Sequence, residues 1–251
     1  MLKTPPLATP KPRLQFLRTT INSVTNHHSR RKIIRCQHSN TITNRKPRIL
    51  CLHGFRTSGQ IFKTQMNKWP QSVLNNLDLF FPDAPFDSNG KSGVEGVFDP
   101  PYYEWFQFHK DYKRYENFDE CVEYIEECMI EHAPIDGLLG FSQGMALTRV
   151  PKIGFLMIIS GAKLINEALA EKAYSPPLQC PSLHFLGDKD FIKPHGIELL
   201  KSFENPMVIH HPKGHTIPRL DEEGLETMLK FMDRIQKIVS DKEDIVACNN
   251  N

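Results

Sequence analysis

No stretch of this sequence approaches eighteen consecutive apolar residues, which excludes a transmembrane helix. No continuous apolar run follows the early basic residues, so a secretory signal is excluded as well. No acidic residue occurs before Asp78. None of the six cysteines (Cys36, Cys51, Cys121, Cys128, Cys180 and Cys248) stands in a C-x-x-C pair, so no zinc quartet is on offer, and free thiols in a reducing compartment are expected. Internal repeats, heptads and glycine periodicity are all absent, which leaves out solenoids, coiled coils and collagen. What is present is ordinary for a globular enzyme. The 251 residues are 39% apolar, 10% aromatic and 24% charged, enough for one sizeable α/β domain or two small ones.

The net charge of +2 hides an asymmetry. Residues 1–48 carry eleven Lys and Arg with no acid, so the rest of the chain sums to −9. An acidic body argues against a nucleic-acid partner. Residues 1–46 are basic, rich in hydroxyls and free of acids, the composition of an organelle transit peptide, with plastid and mitochondrion not separable. A basic tail without a targeting role is the alternative, and the protein would then stay in the cytoplasm or nucleus. The expected organisation is this leading segment, one domain over 47–240 and a frayed tail over 241–251.

In the body, apolar runs at 48–55, 77–81, 135–141, 153–159, 182–186 and 207–210 read as strands. The spacing of Phe118, Val122, Ile125 and Met129 predicts a helix over Phe118–Glu131, with Asn117 as its N-cap. It turns Cys121 and Cys128 the same way. Further helices are expected near 163–172, 195–203 and 220–238. Strands that alternate with helices and are apolar on both faces predict an α/β fold: a mostly parallel sheet with helices on both sides.

Gly140-Phe141-Ser142-Gln143-Gly144 directly follows a predicted strand. A serine between two glycines can occupy a sharp strand-to-helix turn, because no neighbouring side chain crowds the bend. The hydroxyl then stands out at the carboxyl end of the sheet. A serine nucleophile needs a base, and the base needs an orienting carboxylate. Asp190 and His215 lie in loops after later strands, in the order Ser, Asp, His of the α/β-hydrolase fold. Asp190 is preferred to Asp188 because it stands farther beyond its strand, and His215 to His210 and His211 because it follows a glycine in the loop. The backbone amides of Phe55 and Gln143 are the expected oxyanion donors, and His53 is expected to brace the loop that carries Phe55. A metal site from the three histidines lacks acidic partners, so no metal and no cofactor is expected.

Taken together, the segments Pro47–Gly59, Phe81–Pro85, Tyr103–Phe106, Gly140–Gly144, Gly161-Ala162, Gly187–Asp190 and Gly214-His215 resemble the FSH serine hydrolases, the group that includes the ovarian-cancer-associated hydrolase, and look most like its plant members. The likeness is colinear over roughly residues 46–238. It implies a serine carboxylesterase of α/β-hydrolase fold with Ser142, Asp190 and His215 as triad, acting on a small-molecule ester that often carries a long acyl chain. An aromatic stretch around residues 98–112, with Tyr103, Trp105 and Phe106 foremost, could line an apolar acyl pocket. The same residues would serve a thioesterase or a lipase-like acyl hydrolase. One feature departs from the family: only residues 143–152 separate Ser142 from the next strand. Returning along a strand of about 20 Å takes around thirteen helical residues at about 1.5 Å each. The crossover helix is therefore expected to be unusually short. That favours a second reading, a hydrolase-fold protein that binds a small ligand with impaired catalysis.

Overall fold

The computed structural model describes residues 45–110, 113–145 and 153–249. Among them, β1 (Arg48–Leu52) and α1 (Gly59–Met66) lead through α2 (Gln71–Leu74) to β2 (Asp78–Phe80). Four two-residue strands follow: β3 (Phe86–Asp87), β4 (Tyr103–Glu104), β5 (Gln107–Phe108) and β6 (Tyr115–Glu116). Then come α3 (Phe118–Glu131), β7 (Gly137–Phe141), β8 (Phe155–Ile159), α4 (Glu167–Tyr174), β9 (Ser182–Gly187), α5 (Lys193–Leu200), β10 (Met207–His211) and α6 (Glu222–Asn249). Six of the strands form one sheet in the order β10-β9-β8-β7-β1-β2, every pair parallel.

Successive side chains of a strand point to opposite faces. In β1, Ile49 and Cys51 enter a core with Leu139, Met157 and Phe185, covered by α1 and α6. Leu50 and Leu52 enter the other core with Leu138, Leu156 and Ile158, covered by α3, α4 and α5. Because both faces are buried, these strands show no alternation of polarity. In α3 the buried positions are Phe118, Cys121, Ile125 and Cys128, one stripe at helical spacing. A large apolar side chain such as Phe118 or Ile125 contributes about 1.5–3 kcal/mol when so buried.

Several boundaries differ from the sequence expectations. Asn117 is the N-cap residue of α3 as expected, but with a left-handed φ of 58° its side chain makes no capping hydrogen bond; its amide donates instead to Gln107 Oε1 at 2.7 Å. Arg45, expected in the leading segment, is bound to the domain by hydrogen bonds to both oxygens of buried Asp136, at 2.6 and 3.0 Å. The expected leading segment otherwise lies outside the described residues. The expected frayed tail from 241 is helical through Asn249, held where Arg45 also reaches Glu243. The expected short crossover falls largely on residues 146–152, outside the described residues. On either side of them β7 and β8 pair along their whole length, from Gly137↔Phe155 to Phe141↔Ile159.

The chain steps from β1 outward to β2 and later returns to the opposite side of β1 as β7. Loops leaving the carboxyl ends of β1 and β7 therefore part in opposite directions, and such a switch point opens a crevice at that edge of the sheet.

Candidate active site

Ser142 follows β7 immediately and starts a 3-10 turn, Ser142–Met145, with φ 53°. A left-handed conformation costs an ordinary residue roughly 1–2 kcal/mol and persists only where the surroundings enforce it. Here they do. A Cβ on Gly144 would sit 2.4 Å from the carbonyl oxygen of Leu52, and one on Gly54 would sit 2.8 Å from the Phe141 ring. The turn after β7 and the loop after β1 are thus packed together at a distance only glycine allows.

Ser142 Oγ lies 2.9 Å from His215 Nε2. On the other side of that ring, Nδ1 lies 3.0 and 3.1 Å from the two oxygens of Asp190. A carboxylate only accepts, so Nδ1 carries the proton and Nε2 is left to accept from the serine hydroxyl. Asp190 is buried and also accepts the amide of Ile192 at 3.0 Å. The imidazole stands between the rings of Phe141 and Phe191, with centroids at 5.0 and 4.8 Å. Three residues from the ends of β7, β9 and β10 are therefore in one hydrogen-bonded line. The alternatives weighed from the sequence lie elsewhere. Exposed Asp188 binds Lys193 Nζ at 2.8 Å, which holds its carboxyl below the usual range. His210 is exposed on β10, and His211 is buried there, where desolvation lowers its pKa.

His53 closes the loop after β1. Its Nε2 accepts the Ala84 amide at 3.0 Å, so Nδ1 is the donor, 2.8 Å from the Gly54 carbonyl. Burial lowers its pKa to about 4, so the ring is a neutral brace at pH 7. Gln143 contributes more than a backbone amide. Its side-chain oxygen accepts Trp105 N at 3.2 Å, and its nitrogen donates to Phe106 O at 2.7 Å. The nucleophile turn is thereby tied to the aromatic segment.

Ser142, Gln143 and Phe55 share a cavity of about 710 Å³ whose other walls include Phe106, Phe108, Tyr115, Leu164, Ile165 and Phe191. Of the three aromatics singled out for a pocket, only Phe106 borders it, and its side chain is itself buried in the core. Trp105 is fully buried behind, where its indole N–H has found the His53 carbonyl at 2.7 Å. Tyr103 is held in β4, its amide donating to Thr57 O at 2.7 Å. Arg56 and Glu104 were not anticipated. Arg56 has φ 53°, stacks over Phe55 at 4.6 Å and donates to Glu104 Oε1 at 2.7 Å, with Glu104 only 2% exposed. Position next to Phe55 was the available signal for Arg56. An acid inside an aromatic run gave none for Glu104. Among the described residues no group of three or more His, Cys, Asp or Glu could hold a metal ion.

A family model described as serine hydrolase (FSH1) matches residues 42–225. The zebrafish (Danio rerio) protein named Esterase OVCA2 is 26% identical over 222 residues, covering 75% of this chain and 97% of that protein. Esterase CG5412 of Drosophila melanogaster is 28% identical over 221 residues, covering 79% and 78%. A Schizosaccharomyces pombe protein named Dihydrofolate reductase is 27% identical over 203 residues, but only 44% of its length is covered, so the likeness is to one part of a longer chain. Among solved structures, Arabidopsis thaliana SOBER1 superposes with a TM-score of 0.54 at 20% identity, covering 76% of this chain and 99% of that one. The six-stranded parallel sheet, the two helical layers and this superposition identify the α/β-hydrolase fold.

Proposed function

The chain belongs to the FSH1 family of serine hydrolases, and from that premise we propose that it cleaves carboxylic esters through an acyl-serine intermediate formed on Ser142. The observation that carries this reading is the unbroken line from Ser142 Oγ through His215 to Asp190. His215 Nε2 takes the hydroxyl proton as Oγ attacks the acyl carbonyl, and Asp190 holds the imidazolium that forms. The Phe55 and Gln143 amides take the negative charge of the tetrahedral intermediate. Collapse expels the alcohol, protonated by His215. Water activated by the same ring then releases the acid. The aromatic and aliphatic cavity wall supports an apolar acyl group. The rival reading, a ligand binder with impaired catalysis, is disfavoured by a hydroxyl and an imidazole already within hydrogen-bonding reach of each other.

A fluorophosphonate probe tests the reading. The wild-type chain should label and Ser142→Ala should not, and ester turnover should fall at least about a thousandfold in Ser142→Ala and His215→Gln. Equal labelling of wild type and Ser142→Ala would remove Ser142 from the mechanism. Hydrolysis rates along a series of p-nitrophenyl esters and matched thioesters separate the esterase from a thioesterase. Among the described residues no helix is long and apolar enough to cross a membrane. The acid-free, basic composition of residues 1–46 supports organelle targeting, so a fluorescent protein fused behind them should collect in plastids or mitochondria. Diffuse fluorescence would count against it.

A further inference from the structure

Nine large apolar side chains are markedly exposed among the described residues, and four of them line the cavity that holds Ser142. Phe191 is 76% exposed, Ile165 46%, Phe108 38% and Phe55 37%. They are not scattered. Phe55 meets Phe108 edge-on at 5.8 Å, and the Ile165 amide donates to Tyr115 Oη at 3.0 Å, joining the loop after β8 to the β5–β6 hairpin. Exposed apolar side chains gathered on one cavity in this way mark a place where something docks.

The charges around it say what. The other charged residues in the cavity wall are Arg56, Lys110 and Lys163, with Glu104 the single acid and that one bound to Arg56. The chain beyond residue 48 is nonetheless acidic overall, at −9. A positive fringe around an apolar ring, on an otherwise acidic body, complements an anionic lipid–water surface: the apolar side chains enter the acyl boundary while the cations lie among the headgroups.

We propose that the mouth of this cavity docks on an anionic lipid surface, so that amphiphilic molecules reach Ser142 directly from the lipid. The docking rests on the rim and not on the ester chemistry, so it is measured in the Ser142→Ala chain, which leaves the vesicles chemically intact. The full chain is mixed with phosphatidylcholine vesicles with and without phosphatidylglycerol. In a second protein Phe191→Trp places a reporter on the rim; both native tryptophans, Trp69 and Trp105, are buried. The expected result is a blue shift of the new tryptophan with the anionic vesicles, reversed by salt. Phe191→Asp and Ile165→Asp should each weaken vesicle binding about ten- to hundredfold, and Lys163→Ala about fivefold. Both apolar positions are exposed, and an unchanged melting temperature verifies that the variants fold. No shift at residue 191 overturns the proposal. So does binding that survives both aspartate variants, which would locate it on the basic residues 1–48. A change of oligomeric state in the rim variants without vesicle binding also overturns it, in favour of a second copy of the chain as occupant.

Discussion

Gln143 uses three of its polar groups in three directions. Its backbone amide is the proposed oxyanion donor, and its side-chain oxygen and nitrogen clamp Trp105 and Phe106. Removing the side chain takes a partner from the buried Trp105 amide and from the Phe106 carbonyl, a cost of about 1–3 kcal/mol for each. Gln143→Ala should therefore lower the melting temperature. It should also lower kcat/KM for long-chain esters more than for acetate, because Phe106 is the part of the proposed acyl wall that loses its anchor. Equal losses on both substrates would show that the clamp has no bearing on the pocket. His53 is an instance of a residue whose chemistry is suppressed by its place. With both ring nitrogens engaged and its pKa lowered to about 4, it shapes the Phe55 loop and takes no proton at neutral pH.

At the scale of elements, the end of α6 and the strand β7 are linked through a residue that the sequence pattern assigned to neither. Arg45 binds Asp136, just before β7, and Glu243 in the last turns of α6, while Gln236 donates to the Arg45 carbonyl at 3.0 Å. Asp136 is 3% exposed in its side chain and also accepts the Arg48 amide at 2.9 Å. Arg45→Ala should cost on the order of 2 kcal/mol, because a buried carboxylate keeps one partner and loses its cation. Urea unfolding would register this as a lower midpoint with an unchanged slope. An unchanged midpoint would make the pair a surface ornament. The α3 helix was legible because its stripe depends only on spacing. The position of its cap was legible too, but not the missing capping bond, because Asn117 found a side-chain partner across the β5–β6 hairpin.

For the molecule as a whole, two buried histidines make stability depend on acid. His53 and His184 are held at about 4 and about 3, in both cases first by desolvation. The unfolded chain binds protons at these rings near pH 6.5, while the folded chain does not. Their neutral burial is thus unopposed above pH 6.5, and stability is lost as pH falls from there toward 4 and then 3. For His53 alone the loss by pH 4 is on the order of 3 kcal/mol. Thermal melts at stepped pH should show the decline. His53→Gln, which keeps an acceptor for the Ala84 amide, should roughly halve it between pH 6.5 and 4, leaving the share of His184. A wild-type melting temperature constant over that range would contradict this account.

Much of this was written in local pattern. Apolar runs and helical spacing determine the order of strands and helices, because burial on both faces of a parallel sheet leaves that mark on any chain. Ser142 between glycines, and Asp190 and His215 in loops after strands, were legible because sharp turns and loop ends have compositional signatures. Only the tertiary structure decided which aromatics face the cavity. Trp105 and Phe106 are neighbours in sequence and both are buried, yet only Phe106 also borders the cavity, while the Trp105 indole bonds the His53 carbonyl. It also decided the company of Arg56 with Glu104, and of Arg45 with Asp136. Such pairs join segments far apart in the chain, and their energy depends on burial and distance, which a linear order of residues does not contain.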